Sequence, residues 1–242
     1  MTLIFAHRGA SYHCPENTMA SFVKAAQLGA DGIEFDVQLS SDDIPVVIHD
    51  FTLHRTTTGY GNVDSKTVIE LKMLDAGSWF SASFQNEKIP TLNEVLVWAK
   101  HTKLLLNIEL KSRGLDSELE KKVCELITKH HLDQRVIISS FWKSSLQKIK
   151  QLNPRLQTAL LIDKSIENSF SLAKSLHVEA IHPNYKLLTK QIVNEAHAQN
   201  FWLRPYTVND KKNIAKLFHW QVDAIITDRP NRAIWLRNKL KA

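Results

Sequence analysis

Short apolar runs that end in polar, reactive residues alternate along this chain with longer amphipathic stretches. The first run, Leu3 to Ala6, ends in His7-Arg8-Gly9. Pro15 then fixes a loop, and Glu16-Asn17-Thr18 opens a helix that carries Phe22, Val23, Ala26 and Leu28 and stops at Gly29. From Gly32 to Val37 the period changes to two. Ile33, Phe35 and Val37 alternate with Glu34 and Asp36, which predicts a strand with both carboxylates on one face. Carboxylates placed side by side repel, and a bound cation is the most direct way to offset that repulsion.

Further strands are predicted at Val46 to Ile48, ending in His49-Asp50, and at Leu104 to Lys111, Val136 to Phe141, Thr158 to Ile162, Glu179 to Pro183, Phe201 to Val208 and Ala224 to Asp228. Pro205 puts a bulge or bend in the Phe201 to Val208 run. Helices fall between them, at Thr91 to Lys100, Ser117 to His130, Ser144 to Leu152, Ile166 to Leu176, Thr189 to Gln199 and Asp210 to Phe218, with a last one starting at Pro230. Strand, helix, strand at the start predicts parallel strands joined by right-handed crossovers. About eight alternations over 242 residues predict a (β/α)8 TIM barrel in the α/β class. An open doubly wound sheet fits less well, since no Gly-x-Gly-x-x-Gly or phosphate-loop motif is present. The stretch Phe51 to Pro90 breaks the alternation. It is too long for a plain barrel loop and predicts a small insertion subdomain, at about 51–90, after the second strand region of one domain spanning 1–242.

Composition narrows the class. The hydrophobic fraction of 43% and charged fraction of 23% are those of a soluble globule. Cys14 and Cys124 give neither a disulfide framework nor a paired metal-ligand spacing. With no leader and no apolar run near spanning length, the expectation is a cytoplasmic protein without a stable membrane anchor. The net charge of +6 suits anionic partners, and it is densest in the tail, at Arg229, Arg232, Arg237, Lys239 and Lys241. That tail reads as a solvated last helix whose cations suit its C-terminal dipole end. Nucleic acid is not an expected partner, because zinc-knuckle spacing and aromatic sheet motifs are lacking.

Five motifs now stand in order at strand ends: His7-Arg8-Gly9, Pro15-Glu16-Asn17-Thr18, Glu34-x-Asp36-Val37, His49-Asp50 and Glu109-x-Lys111. With Ser140-Phe141, His182-Pro183, Thr207-Val208-Asn209 and Thr227-Asp228-Arg229-Pro230, the chain resembles the bacterial glycerophosphodiester phosphodiesterases over nearly its whole length. The resemblance implies a (β/α)8 barrel, one divalent cation, Ca²⁺ or Mg²⁺, and hydrolysis of glycerophosphodiesters to sn-glycerol 3-phosphate and an alcohol in glycerophospholipid catabolism. The route it implies is attack by the neighbouring glycerol hydroxyl to a cyclic phosphate that water opens; direct attack by water uses the same residues. Two positions depart from the family pattern. Cys14 stands where Ala is frequent, and Tyr206 where the aromatic is commonly Trp.

Each candidate follows from its chemistry. Glu34, Asp36 and Glu109 form an all-oxygen ligand set suited to a hard cation. His7 and His49 are the expected general acid–base pair, since imidazole both takes and gives a proton near neutral pH. Arg8 and Lys111 are expected to bind the phosphate and stabilise its added transition-state charge. Phe141 and Tyr206 are expected to wall the glycerol carbons. His182 is a candidate for the rim or for support of the site. Two other classes remain: a phospholipase working at a membrane surface and a non-enzymatic barrel that binds phosphorylated ligands. The long insertion and the lack of a disulfide pair argue against the first, and the intact His and carboxylate set against the second.

Overall fold

The computed structural model describes residues 1–112 and 118–240. Ser117, the expected first residue of a helix, and Lys241 of the basic tail lie outside the described residues. The strands are β1 (Leu3–His7), β2 (Gly32–Leu39), β3 (Pro45–Val47), β4 (Leu105–Leu110), β5 (Val136–Ser140), β6 (Gln157–Ile162), β7 (Ala180–Pro183), β8 (Trp202–Leu203) and β9 (Ala224–Thr227). The helices are α1 (Met19–Gln27), α2 (Val68–Met73), α3 (Leu92–Ala99), α4 (Leu119–His130), α5 (Lys143–Leu152), α6 (Ser169–Ser175), α7 (Lys190–Ala198), α8 (Lys211–His219) and α9 (Pro230–Lys239).

Hydrogen-bonded neighbours run β8-β7-β6-β5-β4-β2-β1-β9, with parallel pairing throughout. The circle closes between β9 and the chain after β8. Asp223 N donates to Leu203 O (3.0 Å), Ile226 N to Pro205 O (2.9 Å) and Val208 N to Ile226 O (2.9 Å). Eight parallel strands with alternating helices therefore make the expected TIM barrel.

Two strand expectations need correction. Val46 to Ile48 is not one of the barrel strands. β3 pairs antiparallel with β2, Val37 opposite Val47 and Leu39 opposite Pro45, so the chain turns back on itself before leaving the barrel. The run Phe201 to Val208 forms a ladder only at Trp202–Leu203. Pro205 has no N–H for a ladder, and from there the segment serves β9 through scattered backbone bonds.

The side-chain alternation of β2 sets the layers. Ile33, Phe35 and Val37 pack outward in one buried cluster with Phe22, Val95, Leu96 and Ile108. Burying a side chain such as Phe35, which is 0% exposed, stabilises by about 1.5–3 kcal/mol. Glu34, Asp36 and Gln38 are thereby turned to the barrel interior. Inside the barrel, Phe5, Ile137, Ala159, Ala180, Ala224 and Ile226 form a separate small core. Between β3 and α3, residues Ile48, Leu53, Val63, Leu71, Ala76 and Ile89 cluster with Val46 in a core of their own.

Helix starts follow local chemistry. Thr18, Thr67 and Thr91 each cap a helix by accepting an N–H three residues on, and each is answered by the side chain of that residue, Ser21, Glu70 or Glu94. Among the described residues no helix is long and apolar enough to cross a membrane. Cys14 and Cys124 are both free and buried.

Candidate active site

Strand register brings the acids together. β1 pairs with β2 so that His7 stands beside Glu34, and β4 pairs with β2 so that Glu109 stands beside Asp36. One oxygen from each of Glu34, Asp36 and Glu109 lies within 4.8 Å of the other two. All three carboxylates are buried. Lys111 Nζ lies 3.2 Å from Asp36 Oδ1 and also touches Glu109 Oε1. Arg8 Nε lies 3.4 Å from Asp36 Oδ2, and Arg8 N donates to Glu34 Oε2 (3.0 Å).

Three carboxylates thus share two cations, and the shortfall falls unevenly. Burial and the charge of Asp36 raise the Glu34 carboxyl above the usual carboxylate range. Burial and Asp36 likewise raise Glu109. For Asp36, burial is outweighed by Lys111 and Arg8, which hold it well below that range. An oxygen-only donor set with excess negative charge out of water fits a hard divalent cation.

Both histidines are tethered in the same way. His7, at the end of β1, has Nδ1 2.6 Å from Asp228 Oδ1, with Nε2 4.0 Å from Glu34 Oε2. His49 has Nδ1 2.6 Å from Asp50 Oδ1. A carboxylate on Nδ1 fixes the ring and leaves Nε2 the ring nitrogen without that tether. Their surroundings then differ. Burial lowers the His7 pKa, but the hydrogen bond to Asp228 and the charge of Glu34 outweigh it, and the net shift is upward. Burial lowers that of His49, Asp36 opposes, and Arg8 and Lys111 add to the lowering, so the net shift is downward.

His49 comes to the cleft from the antiparallel excursion, so something must hold that loop. Gln38, in phase with Glu34 and Asp36 on β2, does so. Its Nε2 donates to the carbonyls of Ile48 (2.9 Å), His49 (3.0 Å) and Asp50 (2.7 Å). Arg55, from the segment that follows β3, grips Asp50 through Nε (2.5 Å) and Glu16 through both terminal nitrogens (2.8 Å each). Glu16 in turn accepts from Arg8 Nη1 (2.7 Å). Alternating charges therefore run from the segment after β3 to the carboxylate cluster through Asp50, Arg55, Glu16, Arg8 and Asp36.

The first loop is built around tight backbone geometry. Arg8 and Asn17 both have left-handed φ, 53° and 56°. Gly9 has φ +80°, and a Cβ there would lie 2.2 Å from Ser21 Oγ, so the third residue of His-Arg-Gly has no substitute without strain. Asn17 Nδ2 donates to Asp36 Oδ2 (2.8 Å), which orients that carboxylate.

Phe141 and Tyr206 meet edge to face, with ring centroids 6.3 Å apart. Phe141 is exposed, whereas Tyr206 packs on the inner core and donates its hydroxyl to Ile162 O (3.1 Å). His182 is elsewhere: it is fully buried, with Nε2 3.4 Å from Arg204 Nη1. Cys14 is buried, and burial pushes its thiol pKa up. Sequence reasoning gave no role to Asp228, Asp50, Gln38, Asn17 or Arg55. Asn17, Asp50 and Asp228 stood inside the motifs without a role of their own, and Gln38 was signalled by the two-residue phase of the acid strand.

Residues 7–232 match the model of the glycerophosphoryl diester phosphodiesterase family. The chain is 41% identical over 239 residues to a glycerophosphodiester phosphodiesterase of Caldanaerobacter subterraneus subsp. tengcongensis, covering 98% of each chain. It is 40% identical to a glycerophosphodiester phosphodiesterase of Bacillus altitudinis, covering 100% of both. Its structure is similar to that of an Oleispira antarctica phosphodiesterase in complex with the product sn-glycerol-3-phosphate, with a TM-score of 0.94, 33% identity, and coverage of 98% and 97%.

Proposed function

The chain belongs to the glycerophosphoryl diester phosphodiesterase family and is a glycerophosphodiester phosphodiesterase, and we propose that it releases sn-glycerol 3-phosphate and an alcohol by histidine acid–base chemistry beside a carboxylate-held cation. One observation carries this reading: two imidazoles, each tethered through Nδ1 to a carboxylate, stand by a buried cluster of three more carboxylates.

Glu34, Asp36 and Glu109 would hold the divalent cation, Ca²⁺ or Mg²⁺. When bound, such an ion draws negative charge from the phosphoryl oxygens. Arg8 and Lys111, both already at the cluster, supply fixed positive charge for the phosphate and for the charge it gains in the transition state. The roles follow the tethering and the direction of each shift. His49, whose pKa is shifted down, takes the proton of the attacking oxygen at Nε2, and His7, whose pKa is shifted up by its hydrogen bond to Asp228, gives one to the leaving alcohol. Phe141 and Tyr206 wall the glycerol carbons. The localisation we propose is cytoplasmic, on the strength of two free thiols.

The test is release of glycerol 3-phosphate from glycerophosphocholine and glycerophosphoethanolamine, with Ca²⁺, with Mg²⁺ and with chelator. Release that the chelator abolishes supports the reading. Release that survives chelation removes the cation from it, and no release from either substrate removes the substrate class.

A further inference from the structure

A cavity of about 750 Å³ opens at the opposite end of the barrel, among the N-terminal ends of the strands. Its walls are mainly apolar, with Leu3, Leu105, Ile137, Trp202, Phe218 and Val222 among them. Arg204 also lines it, and this side chain is the anomaly. It is 7% exposed, yet no carboxylate lies within ion-pair distance among the described residues. Nη1 reaches His182 Nε2 and Nη2 reaches Gln157 Oε1 only at 3.4 Å each, long for a hydrogen bond. Nε is buried without any hydrogen-bond partner. A guanidinium has five N–H donors in a rigid fork, and burying one without an anion is costly.

The neighbours do not supply that anion. His182 is pressed toward its neutral form by burial and by Arg204 itself. Asp223, also in the cavity wall, spends Oδ2 on Leu203 N (2.7 Å) and His197 Nε2 (3.1 Å). Glu179 spends its oxygens on Lys150 and on Thr158 N. The two other arginines of the wall each have a partner for their charge or their terminal donors: Arg135 caps the carbonyls of Ala99 and Thr102, and Arg237, although its Nε is also buried without a hydrogen bond, pairs through Nη1 with Asp31. Burial lowers the Arg204 pKa to about 10 against the charges of Asp223 and Glu179, which act from beyond ion-pair distance, and its guanidinium carbon lies 5.1 Å from the centre of the Trp202 ring; it stays charged at neutral pH. The room for it comes from small inner residues. Ala180 pairs with Ala159 on one side and with Trp202 on the other, where barrel interiors usually carry larger branched side chains.

We propose that this cavity binds an anionic amphiphile, an aliphatic carboxylate whose head group lies in the Arg204 fork and whose chain lies along the apolar walls. The volume is that of an ordinary small-molecule site, and Arg with carboxylate is the forked pairing that gives geometry as well as charge. The site lies at the end of the barrel away from His7, His49 and the acids, so occupancy is independent of the reaction centre.

Calorimetric titration of the full chain with octanoate, octyl phosphate and 1-octanol tests this. Octanoate is expected to bind one per chain, at least about tenfold tighter than octanol. Arg204→Met and Ala215→Trp are each expected to weaken octanoate by about tenfold or more. The second narrows the cavity from α8 without altering Arg204, and it decides the matter if the first fails to fold. Saturating glycerol 3-phosphate is expected to leave octanoate binding unchanged. Equal affinity for octanol, tighter binding of octyl phosphate, unchanged binding in Ala215→Trp, competition by glycerol 3-phosphate, or no octanoate binding at millimolar concentration would each overturn the proposal.

Discussion

His7 Nδ1 lies 2.6 Å from Asp228 Oδ1, although 221 positions separate the two in sequence. Pairing of β1 with β9 makes that possible, with Ala6 beside Thr227. Asp228 is itself fixed, since its Oδ2 accepts from Asn209 Nδ2 (2.5 Å) and its Oδ1 from Ser11 Oγ (3.1 Å). Asp228→Asn therefore removes the charge that favours the protonated imidazole while keeping the shape. We expect kcat to fall by about 10²-fold or more with KM little changed. In metal-free buffer, an NMR titration should place the His7 pKa above the ordinary value in the native protein and lower in the variant. An unchanged His7 titration would show that Asp228 only packs against the ring.

His7→Ala and His49→Ala should each lower turnover by about 10²–10⁴-fold. Both rings sit at the cleft rather than in the apolar core, so thermal melts should stay near those of the native protein. Native rates in either variant would remove that residue from the acid–base pair.

Glu34→Gln removes one of three close carboxylates and the one whose charge is least compensated. Cation affinity should drop by about tenfold or more, read by calorimetric titration with Ca²⁺ and with Mg²⁺. Without cation, the same change relieves repulsion, so the apo variant should melt no lower than the apo native protein. Equal cation affinity in both proteins would contradict the ligand assignment.

Acid stability should report the Asp50–Arg55 pair. Hydrogen bonds from Arg55 hold the Asp50 carboxyl at about 2 in the folded protein, below the unfolded value of about 3.9. The sign follows: a depressed folded pKa stabilises above about pH 4, and that contribution is lost as pH falls toward about 2. In Arg55→Met the acid-unfolding midpoint should move to higher pH, by circular dichroism. Coincident profiles would mean that the pair adds nothing to folding.

Gln38→Leu keeps the volume but removes the two N–H groups that the carbonyls of Ile48, His49 and Asp50 share. The expected cost is about 1–3 kcal/mol in denaturant melts. Activity should fall further than stability explains, because His49 loses the support of its loop. Rescue by Gln38→Asn is not expected, as the shorter side chain falls short of the same carbonyls. Normal activity in folded Gln38→Leu would make the residue merely structural.

Local alternation carried much of the architecture. Glu34 and Asp36 in phase on β2, with Glu109 on β4, were legible because side-chain period and strand order are both written in the sequence. The direction of β3 was not, since three apolar residues look alike whichever way the strand runs. Asp228 was visible at a strand end, but its role depends on barrel closure, which no local window contains. The Phe201 to Val208 run misled for a related reason. It has strand-like residues, but Pro205 interrupts the ladder there, and Arg204 turns a charge into the interior.

The seam between β1 and β9 also ties function to the order of synthesis. His7 is made 221 residues ahead of Asp228, so a growing chain holds both imidazoles and all three clustered acids long before the partner of His7 exists. Hydrolysis should therefore switch on late, when the closing strand docks, and a ribosome-bound intermediate halted before Ala224 should already fold much of the barrel while remaining silent.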